Sequence, residues 1–551
     1  MQHCYSVIII LSKMKKLFFV FAVLIGISAC STDLTDIEDR IKKLEDQGKS
    51  LSDKSKKLEE DGKKLEEEGN QLQDENEKLQ AEINRLKDSL STVEPKLLQM
   101  EFLAADNPLL LVENAKCDII GDSIVVCQIS NVVRNKVLIP RFRFDGESVK
   151  IGSVTAESGV SQFDFSKPIV LSVLTPKKTK DYKVYVNSYT GLATLWIETP
   201  NHAGIGYQYI SANLKLFENA VTRAAGDTKQ VSGQVVCDNS SQGKCEYTLK
   251  FTNKVSFFSD PEGFSWALKA NGSDVTMLRS QTAYYMSKIS NLVYTPRYHY
   301  IDLMLNGRYN GTYMMGECME ISDGRVNVGS DGFLMCVGAG WNGISFNASY
   351  LEQPVTIVAP ASVSNNSINY ISGYISSAET ALFSSNFKDP KVGWQKYLDI
   401  DSFVDWYIVN EIAKNESGAF QSNCLMNLKL GAKLKMGPIY NLETAFNNRS
   451  TSNGFVVKNS RWYSRLFQDP VFVAKVKERF VFFYTHKKDI ISEMNNNAQY
   501  LKYSVQENDN KWNVFATATN TWAEYQKTVV SLELWLNNRI EWLKEQFDKM
   551  S

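Results

Sequence analysis

A heptad repeat of leucines marks the N-terminal part of the chain. Seven leucines follow one another at intervals of seven residues, with Ile37 one heptad before the first and Val93 one after the last: Leu44, Leu51, Leu58, Leu65, Leu72, Leu79 and Leu86. Such a repeat, with Lys and Glu between the leucines, predicts an α-helical coiled coil over residues 34–93. The other core position holds Gly at 48, 62 and 69, and each Gly costs about 1 kcal/mol in a helix. A single charged helix that serves as a stalk is therefore the alternative.

Alternating polar and apolar positions over residues 100–187 predict a β-sandwich. Short apolar runs such as Ser123–Gln128, Lys136–Phe142 and Asp181–Val186 are separated by turn signals at Gly121-Asp122 and Asp145-Gly146. The series resembles the immunoglobulin-like modules that precede catalytic domains in bacterial surface lipoproteins. That resemblance implies a spacer or a protein-binding module.

The remainder, residues 190–551, mixes strand and helix patterns and predicts an α+β domain. Its strongest hairpin signal is Asn306-Gly307, a type I′ turn pair between two alternating strands in Ile301–Gly316. Apolar residues at helical spacing predict helices at Ser280–Ile289 and Tyr370–Leu382, a helical tail at Phe472–Glu493 and a closing helix at Trp522–Lys549.

Candidate chemistry concentrates in Asp399–Phe446. The segment starts as a helix that Asp399 or Asp401 can cap, and a polar loop with Asn415 and Glu416 follows the helix. Two short strands then flank the turn Leu430-Gly431-Ala432, with one strand near 423–429 and the other near 433–436. Gly437-Pro438-Ile439-Tyr440 comes next, and directly after it stand Asn441 and Glu443. A pair of oxygen-bearing side chains two residues apart at a strand end is where a kinase would hold a metal.

These motifs resemble the spore-coat protein H (CotH) kinase family, which comprises atypical secreted kinases. In that family the helix ends in Asn-x-Asp, and the hairpin leads into Gly-Pro-x-Trp-Asp-x-Asp. Further matches are Trp266–Ala270, Met277–Ser280, the Asn306-Gly307 hairpin and Arg325-Val326-Asn327. The resemblance implies a distant protein-kinase-like fold over 190–551 and a site for ATP with magnesium.

The acidic residues of the family motifs are replaced in this chain. Ser417 stands where the catalytic aspartate of Asn-x-Asp belongs, and Asn441 and Glu443 stand at the two metal-binding aspartates. The family's glycine-rich phosphate motif is replaced by Val231–Asp238, which lacks both arginines and the second glycine. The resemblance thus identifies the family while the residues expected to perform its chemistry differ.

Residue by residue, the resemblance implies a degraded catalytic position at Asn415, Glu416 and Ser417 and a degraded metal position at Asn441 and Glu443. In a nucleotide site, Lys244 or Lys250 would meet a phosphate and Glu317 would pair with a strand lysine. The alternatives are a solvated lysine on a half-exposed strand and a structural carboxylate.

The N-terminus carries a processing signal. From Met14, a second candidate start, two lysines precede the apolar run Leu17–Ile27, and small residues lead to Cys30. The pattern resembles a bacterial lipobox, which implies removal of residues 1–29 and lipidation of Cys30. Residues 30–98 would then form the lipid anchor and stalk, at the outer membrane or surface of a Gram-negative bacterium. A plain secretory signal or a membrane helix is the alternative, although the run is short for a membrane span.

Composition excludes some function classes. The formal net charge is −1 and the four His residues are not paired at metal-ligand spacing, so a nucleic-acid footprint and a His-based metal site are not expected. Apart from Cys4 and Cys30, seven cysteines remain at irregular spacing. The pairs 117/127 and 237/245 are either disulfides or buried free thiols.

Two function hypotheses follow. The favoured one is a cell-surface lipoprotein that forms homo-oligomers through the coiled coil. In it a catalytically impaired pseudokinase domain binds an unidentified protein or glycan, or supports surface structure, without a cofactor. The alternative is an active secreted kinase that uses ATP with magnesium and phosphorylates surface proteins.

Overall fold

The computed structural model of the protein describes most of the chain from residue 58 onward. The described ranges are 58–108, 111, 114–129, 136–188, 190–218, 228–241, 243–338, 343–416, 419, 424–440, 442, 444–447 and 451–550, with residues 39, 42 and 43. The predicted signal peptide and Cys30 lie outside them. The chain divides into two compact units, Met1–Val93 and Glu94–Ser551. Among the described helices, none combines the length and apolar character that a membrane crossing requires.

The first unit contains a long helix, α1 (Leu58–Ser91). The predicted heptad leucines on its described part leave large fractions of their surface in water: 61% for Leu72, 46% for Leu79 and 51% for Leu86. An isolated helix has no core in which to bury such side chains. The assembly of this helix with further copies stays a prediction, and the predicted coil before residue 58 extends beyond the described residues.

The second unit begins with a β module whose buried side chains form one hydrophobic cluster. Its strands are β1 (Lys96–Phe102), β2 (Ala115–Ile120), β3 (Ile124–Ile129), β4 (Val137–Leu138), β5 (Arg141–Asp145), β6 (Ser148–Ile151), β7 (Val154–Ala156), β8 (Phe163–Asp164), β9 (Ile169–Leu174) and β10 (Thr179–Ser188). Eight strands join in the order β5-β1-β2-β3-β10-β9-β6-β7, and β4 pairs with β8. Cys117 and Cys127 face each other on β2 and β3 and form a disulfide.

The apolar run Lys136–Phe142 does not form one continuous strand. It is divided into β4 and β5 by Ile139-Pro140, because proline lacks the backbone N–H that a continuous ladder needs. Asn107 fills the gap: its Oδ1 accepts from the Ile139 N–H at 2.8 Å.

A closed barrel follows the β module. Its strands are β11 (Ala193–Glu198), β12 (Ile210–Phe217), β13 (Thr228–Ser241), β14 (Lys244–Val255), β15 (Gly263–Lys269), β16 (Tyr298–Leu305) and β17 (Arg308–Glu317). They close in the order β11-β12-β13-β14-β15-β17-β16 around an apolar interior. Asn306 and Gly307 connect β16 to β17 with φ of 47° and 75°, as a type I′ turn requires. A disulfide joins Cys237 to Cys245 across the β13–β14 hairpin.

A five-stranded sheet and a layer of helices complete the unit. The strands β18 (Phe333–Val337), β19 (Ile344–Asn347), β20 (Pro354–Ala359), β21 (Cys424–Leu428) and β22 (Lys435–Met436) pair in the order β19-β20-β18-β21-β22. The helices are α2 (Arg279–Lys288), α3 (Asn365–Phe383), α4 (Ile400–Ile412), α5 (Arg461–Leu466), α6 (Pro470–Thr485), α7 (Lys487–Tyr500), α8 (Lys502–Trp512) and α9 (Thr521–Asp548). The predicted helical tail is interrupted at His486, and α8 was not predicted.

Helix α4 is fixed at both ends. Asp399 caps its start by accepting from the Ser402 N–H at 2.9 Å. At its end, Arg539 of α9 donates to the Glu411 backbone oxygen at 2.7 Å and to its Oε1 at 2.9 Å. Both of these side chains are fully buried. Burial of a charge is tolerated when it is paired and hydrogen-bonded, so this ion pair sets the direction in which the chain leaves α4 toward Asn415.

Candidate functional site

A cleft of about 440 Å³ lies between the barrel and the segment that follows β22. Its polar walls come from four places: the end of β13, adjacent positions of β14 and β15, the loop into α2, and the chain after Gly437-Pro438. The side chains that matter for its chemistry are Asn239, Ser240, Glu246, Lys269, Asn271, Asp274, Arg279 and Tyr440.

A lysine–glutamate pair forms one wall of the cleft. Lys269 donates from Nζ to Glu246 Oε2 at 3.2 Å, and the Ala270 N–H donates to Oε1 at 3.3 Å. Burial lowers the pKa of Lys269, but its electrostatic interactions with Tyr440 and Glu246 outweigh burial, and the net pKa is raised. The ammonium therefore stays charged at neutral pH, and 31% of this side chain reaches solvent.

The loop between β15 and α2 holds a second charged pair. Asp274 accepts from the Thr276 hydroxyl at 2.6 Å and from the Arg279 N–H at 3.0 Å. The Arg279 guanidinium lies 3.5 Å from the same carboxylate. In this loop Asn271 adopts φ of 54°, and its buried Nδ2 has no hydrogen-bond partner among the described residues.

A hydrogen bond joins Asn415 of the first motif to Thr444, the residue that follows the second motif. Asn415, fully buried after α4, accepts at Oδ1 from the Thr444 hydroxyl at 2.7 Å and donates from Nδ2 to Asn410 Oδ1 at 3.0 Å. Glu416 is exposed. The predicted site residues Ser417, Asn441 and Glu443 lie outside the described residues. Asn415 thus belongs to a buried amide network that joins the end of α4 to the segment after Leu442.

The lysines predicted for a nucleotide are not among the cleft-lining residues. Lys244 is buried and donates to the Thr312 backbone oxygen at 2.6 Å and to Asn508 Oδ1 at 3.1 Å. Burial lowers the pKa of Lys244 to about 7, against a weaker upward effect of Asp302. Lys250 is exposed, and its ammonium lies 5.6 Å from the ring of Tyr209.

Glu317 pairs with arginines instead of the strand lysine expected for it. Its Oε1 accepts from Arg297 at 2.9 Å, and its Oε2 accepts from the Tyr294 hydroxyl at 2.9 Å. The fully buried Arg325 lies 3.7 Å away. A lysine–glutamate pair on neighbouring barrel strands is formed instead by Lys269 and Glu246.

The segment that replaces the family's phosphate motif is part of a paired strand. Val231–Asp238 lies within β13, which pairs with β12 and β14. A Cβ atom on Gly233 would lie 2.7 Å from the Phe251 ring. Gly233 therefore allows close packing of Phe251 on the strand, and this stretch does not form a loop around a phosphate.

The described part of the cleft does not fit a magnesium ion. Magnesium takes oxygen ligands, commonly one or two carboxylates. Both cleft carboxylates, Glu246 and Asp274, already accept hydrogen bonds from neighbouring donors. Among the described residues, no group of three or more His, Cys, Asp or Glu side chains could hold a metal.

Sequence reasoning missed the residues that form this cleft. Lys269 lies in Trp266–Ala270, a run that resembles the family but predicts no site by itself. Glu246 belongs to no recognised motif. The alternation of side chains along β15 could have identified Lys269. Trp266 and Leu268 face the barrel core, so Lys269, the next residue, must face outward.

Comparison with known proteins identifies the family. The family model described as CotH kinase protein matches residues 233–543. That range contains the whole cleft together with the motif positions 415–417 and 441–443. No curated protein matches the chain. The prediction of the family from the motifs is confirmed: the chain belongs to the CotH kinase family.

Proposed function

We propose that this protein is a cell-surface lipoprotein whose CotH kinase domain has lost efficient phosphoryl transfer and acts in binding or in surface structure. The proposal rests on one observation: both cleft carboxylates already accept hydrogen bonds from neighbouring donors. Glu246 is bound by Lys269 and the Ala270 N–H, and Asp274 by Thr276 and Arg279. These hydrogen bonds occupy part of the acceptor capacity of each carboxylate and so weaken it as a metal ligand.

Phosphoryl transfer depends on neutralising charge at the phosphate and on accepting the proton of the attacking hydroxyl. The sequence has Ser417 where the family's proton acceptor belongs and Asn441 at one metal-binding position. An amide binds magnesium without supplying negative charge, and a serine hydroxyl is a poor base. Both replacements therefore weaken the same chemical step.

The anchor and stalk give the proposed domain its location. Lipidation at Cys30 would hold the chain at a membrane surface, and an oligomeric helix would bring several copies of the chain together. A repeated head is suited to multivalent binding, because linked sites gain avidity without new contacts.

Radioactive phosphate transfer tests the proposal. The purified chain is incubated with γ-labelled ATP and magnesium or manganese, alone and with a mixture of acceptor proteins. We expect incorporation no greater than in Glu443→Ala. Glu524→Ala is the matched control: this α9 side chain is 41% exposed and pairs with Lys527. Incorporation that Glu443→Ala abolishes and Glu524→Ala preserves would establish the active kinase instead.

A further inference from the structure

A second and larger cavity, of about 840 Å³, lies between the β module and the kinase-like domain. Its walls are the start of β4, the chain after β8, the end of β10, the start of β17, helix α8 and the first turn of α9. We call it the module groove. It is separate from the cleft with Lys269, since the two share no lining residue.

The module groove is strongly cationic. Five basic side chains line it against one acidic side chain, Glu507; the basic ones are Lys136, Lys167, Arg308, Lys502 and Lys511. Among the described residues, none of these five forms an ion pair within 4.0 Å. The chain as a whole has a net charge of −1, so this excess is local.

Two cations of the module groove, Arg308 and Lys511, repel each other. Burial lowers the pKa of Lys511, and the positive charge of Arg308 lowers it further. Like charges held together in a cavity raise the free energy of the empty site, and a bound anion would remove that repulsion. The arrangement therefore favours a ligand with more than one negative charge.

Aromatic rings stand beside the cations. Lys502 Nζ lies 5.5 Å from the ring centre of Tyr503 and 5.9 Å from that of Trp522. Arg308 Cζ lies 5.9 Å from the ring centre of Tyr185. All three rings are partly exposed, so they present apolar faces within the groove.

Amide side chains complete the lining with Asn187, Gln506, Asn510 and Asn520. Each amide both donates and accepts hydrogen bonds, which suits a ligand with many hydroxyl groups. A sugar ring offers hydroxyls at its edge and an apolar C–H face that packs on an aromatic ring. Rings, amides and cations together thus match a sugar chain that carries acidic groups.

We propose that the module groove binds an acidic oligosaccharide, with Lys502, Lys511 and Arg308 on its carboxylate or sulfate groups and with Trp522 and Tyr503 against its sugar rings. The site does not depend on nucleotide binding or on phosphoryl transfer. It requires both the β module and the kinase-like domain, which gives their junction a role.

Calorimetric titration of the full chain tests this proposal. The probes are a heparin-derived hexasaccharide, which is sulfated, a galacturonic acid hexasaccharide, which is carboxylated, and neutral maltohexaose. We expect at least one acidic probe to bind at least tenfold more tightly than the neutral one. We expect its affinity to fall as salt is raised, because ion pairs are screened. Comparing the two acidic probes identifies which acidic group is recognised.

Charge reversal at the module groove is the second arm. Lys502→Glu and Lys511→Glu should each weaken binding of that acidic probe at least tenfold, while Lys488→Glu, at an exposed position on α7, should not. Circular dichroism melts check that the variants fold. Equal effects of all three substitutions, no binding of either acidic probe, or tighter binding of a single-stranded oligonucleotide would each overturn the proposal.

Discussion

At the scale of single residues, Lys244 is buried and does not have the phosphate-binding role that its sequence position predicted. Its sequence position suggested a phosphate ligand, and a lone lysine on a strand is usually solvated. In the structure its ammonium is enclosed by the Thr312 backbone oxygen, Asn508 and the face of Tyr313. Lys244 thereby links β14 to β17 and α8.

This environment predicts a pH-dependent stability. Burial lowers the pKa of folded Lys244 from 10.5 to about 7, so between these values the unfolded chain binds a proton that the folded chain does not. Stability should rise with pH across this window, by about 1 kcal/mol per pH unit at the steepest part. Lys244→Met should remove that rise. The measurement is urea unfolding from pH 7 to pH 10.

Lys250→Met is the matched control for this prediction, because Lys250 lies on the same strand and is exposed. It should keep the slope of the unmodified chain. If Lys244→Met and the unmodified chain have parallel stability curves over this window, the lysine is protonated in the folded state and this account of its burial is wrong.

At the scale of elements, the sequence pattern predicted those helices and hairpins that depend on interactions between residues close together in the chain. The helix with the Asp399 cap, the Asn306-Gly307 hairpin and the hairpin of β21 and β22 all follow from periodicity and turn chemistry. Two features depended on contacts far along the chain. The amide network of Asn415 needs Thr444, and the role of Lys269 needs Glu246 on the neighbouring strand. Sequence spacing alone cannot supply such partners.

Helix α1 is predicted to form an oligomer through its heptad leucines. Its exposed leucines, Leu72 and Leu79 among them, should be buried against further copies of the helix. Light scattering of the purified chain should give two or three times the monomer mass. The double variant Leu72→Asp/Leu79→Asp should be monomeric, because a charge in a coiled-coil seam is costly to bury.

Ala81→Asp supplies the control for the oligomer, since residue 81 lies two positions after Leu79, outside the predicted seam. It adds one negative charge to the helix outside the seam and should leave the mass unchanged. A monomer mass for the unmodified chain at working concentration would contradict the coiled coil and leave the charged-stalk alternative.

At the scale of the whole molecule, the β module and the kinase-like domain belong to one compact unit. An apolar cluster joins them, with contributions from Ile124, Val126, Trp196 and Met304. The sequence predicted two domains in series, since each has its own hydrophobic pattern. It could not predict their contact, because an interface leaves no periodic signal. The module groove exists only because this contact holds the two parts together.

In the proposed function, the CotH kinase domain keeps its fold and has lost its metal-dependent chemistry. A ligand that binds the folded state stabilises it by about 2.7 kcal/mol at a hundredfold excess over its dissociation constant. A metal-dependent nucleotide site would therefore raise the melting temperature only when ATP and metal are both present.

Thermal unfolding of the full chain with ATP, with and without magnesium or manganese, tests whether the metal-dependent nucleotide site has been lost. We expect the melting temperature with ATP to be the same whether or not metal is added, after correction for metal alone. A rise that requires ATP and metal together, and that Asn441→Ala or Glu443→Ala removes, would contradict the account.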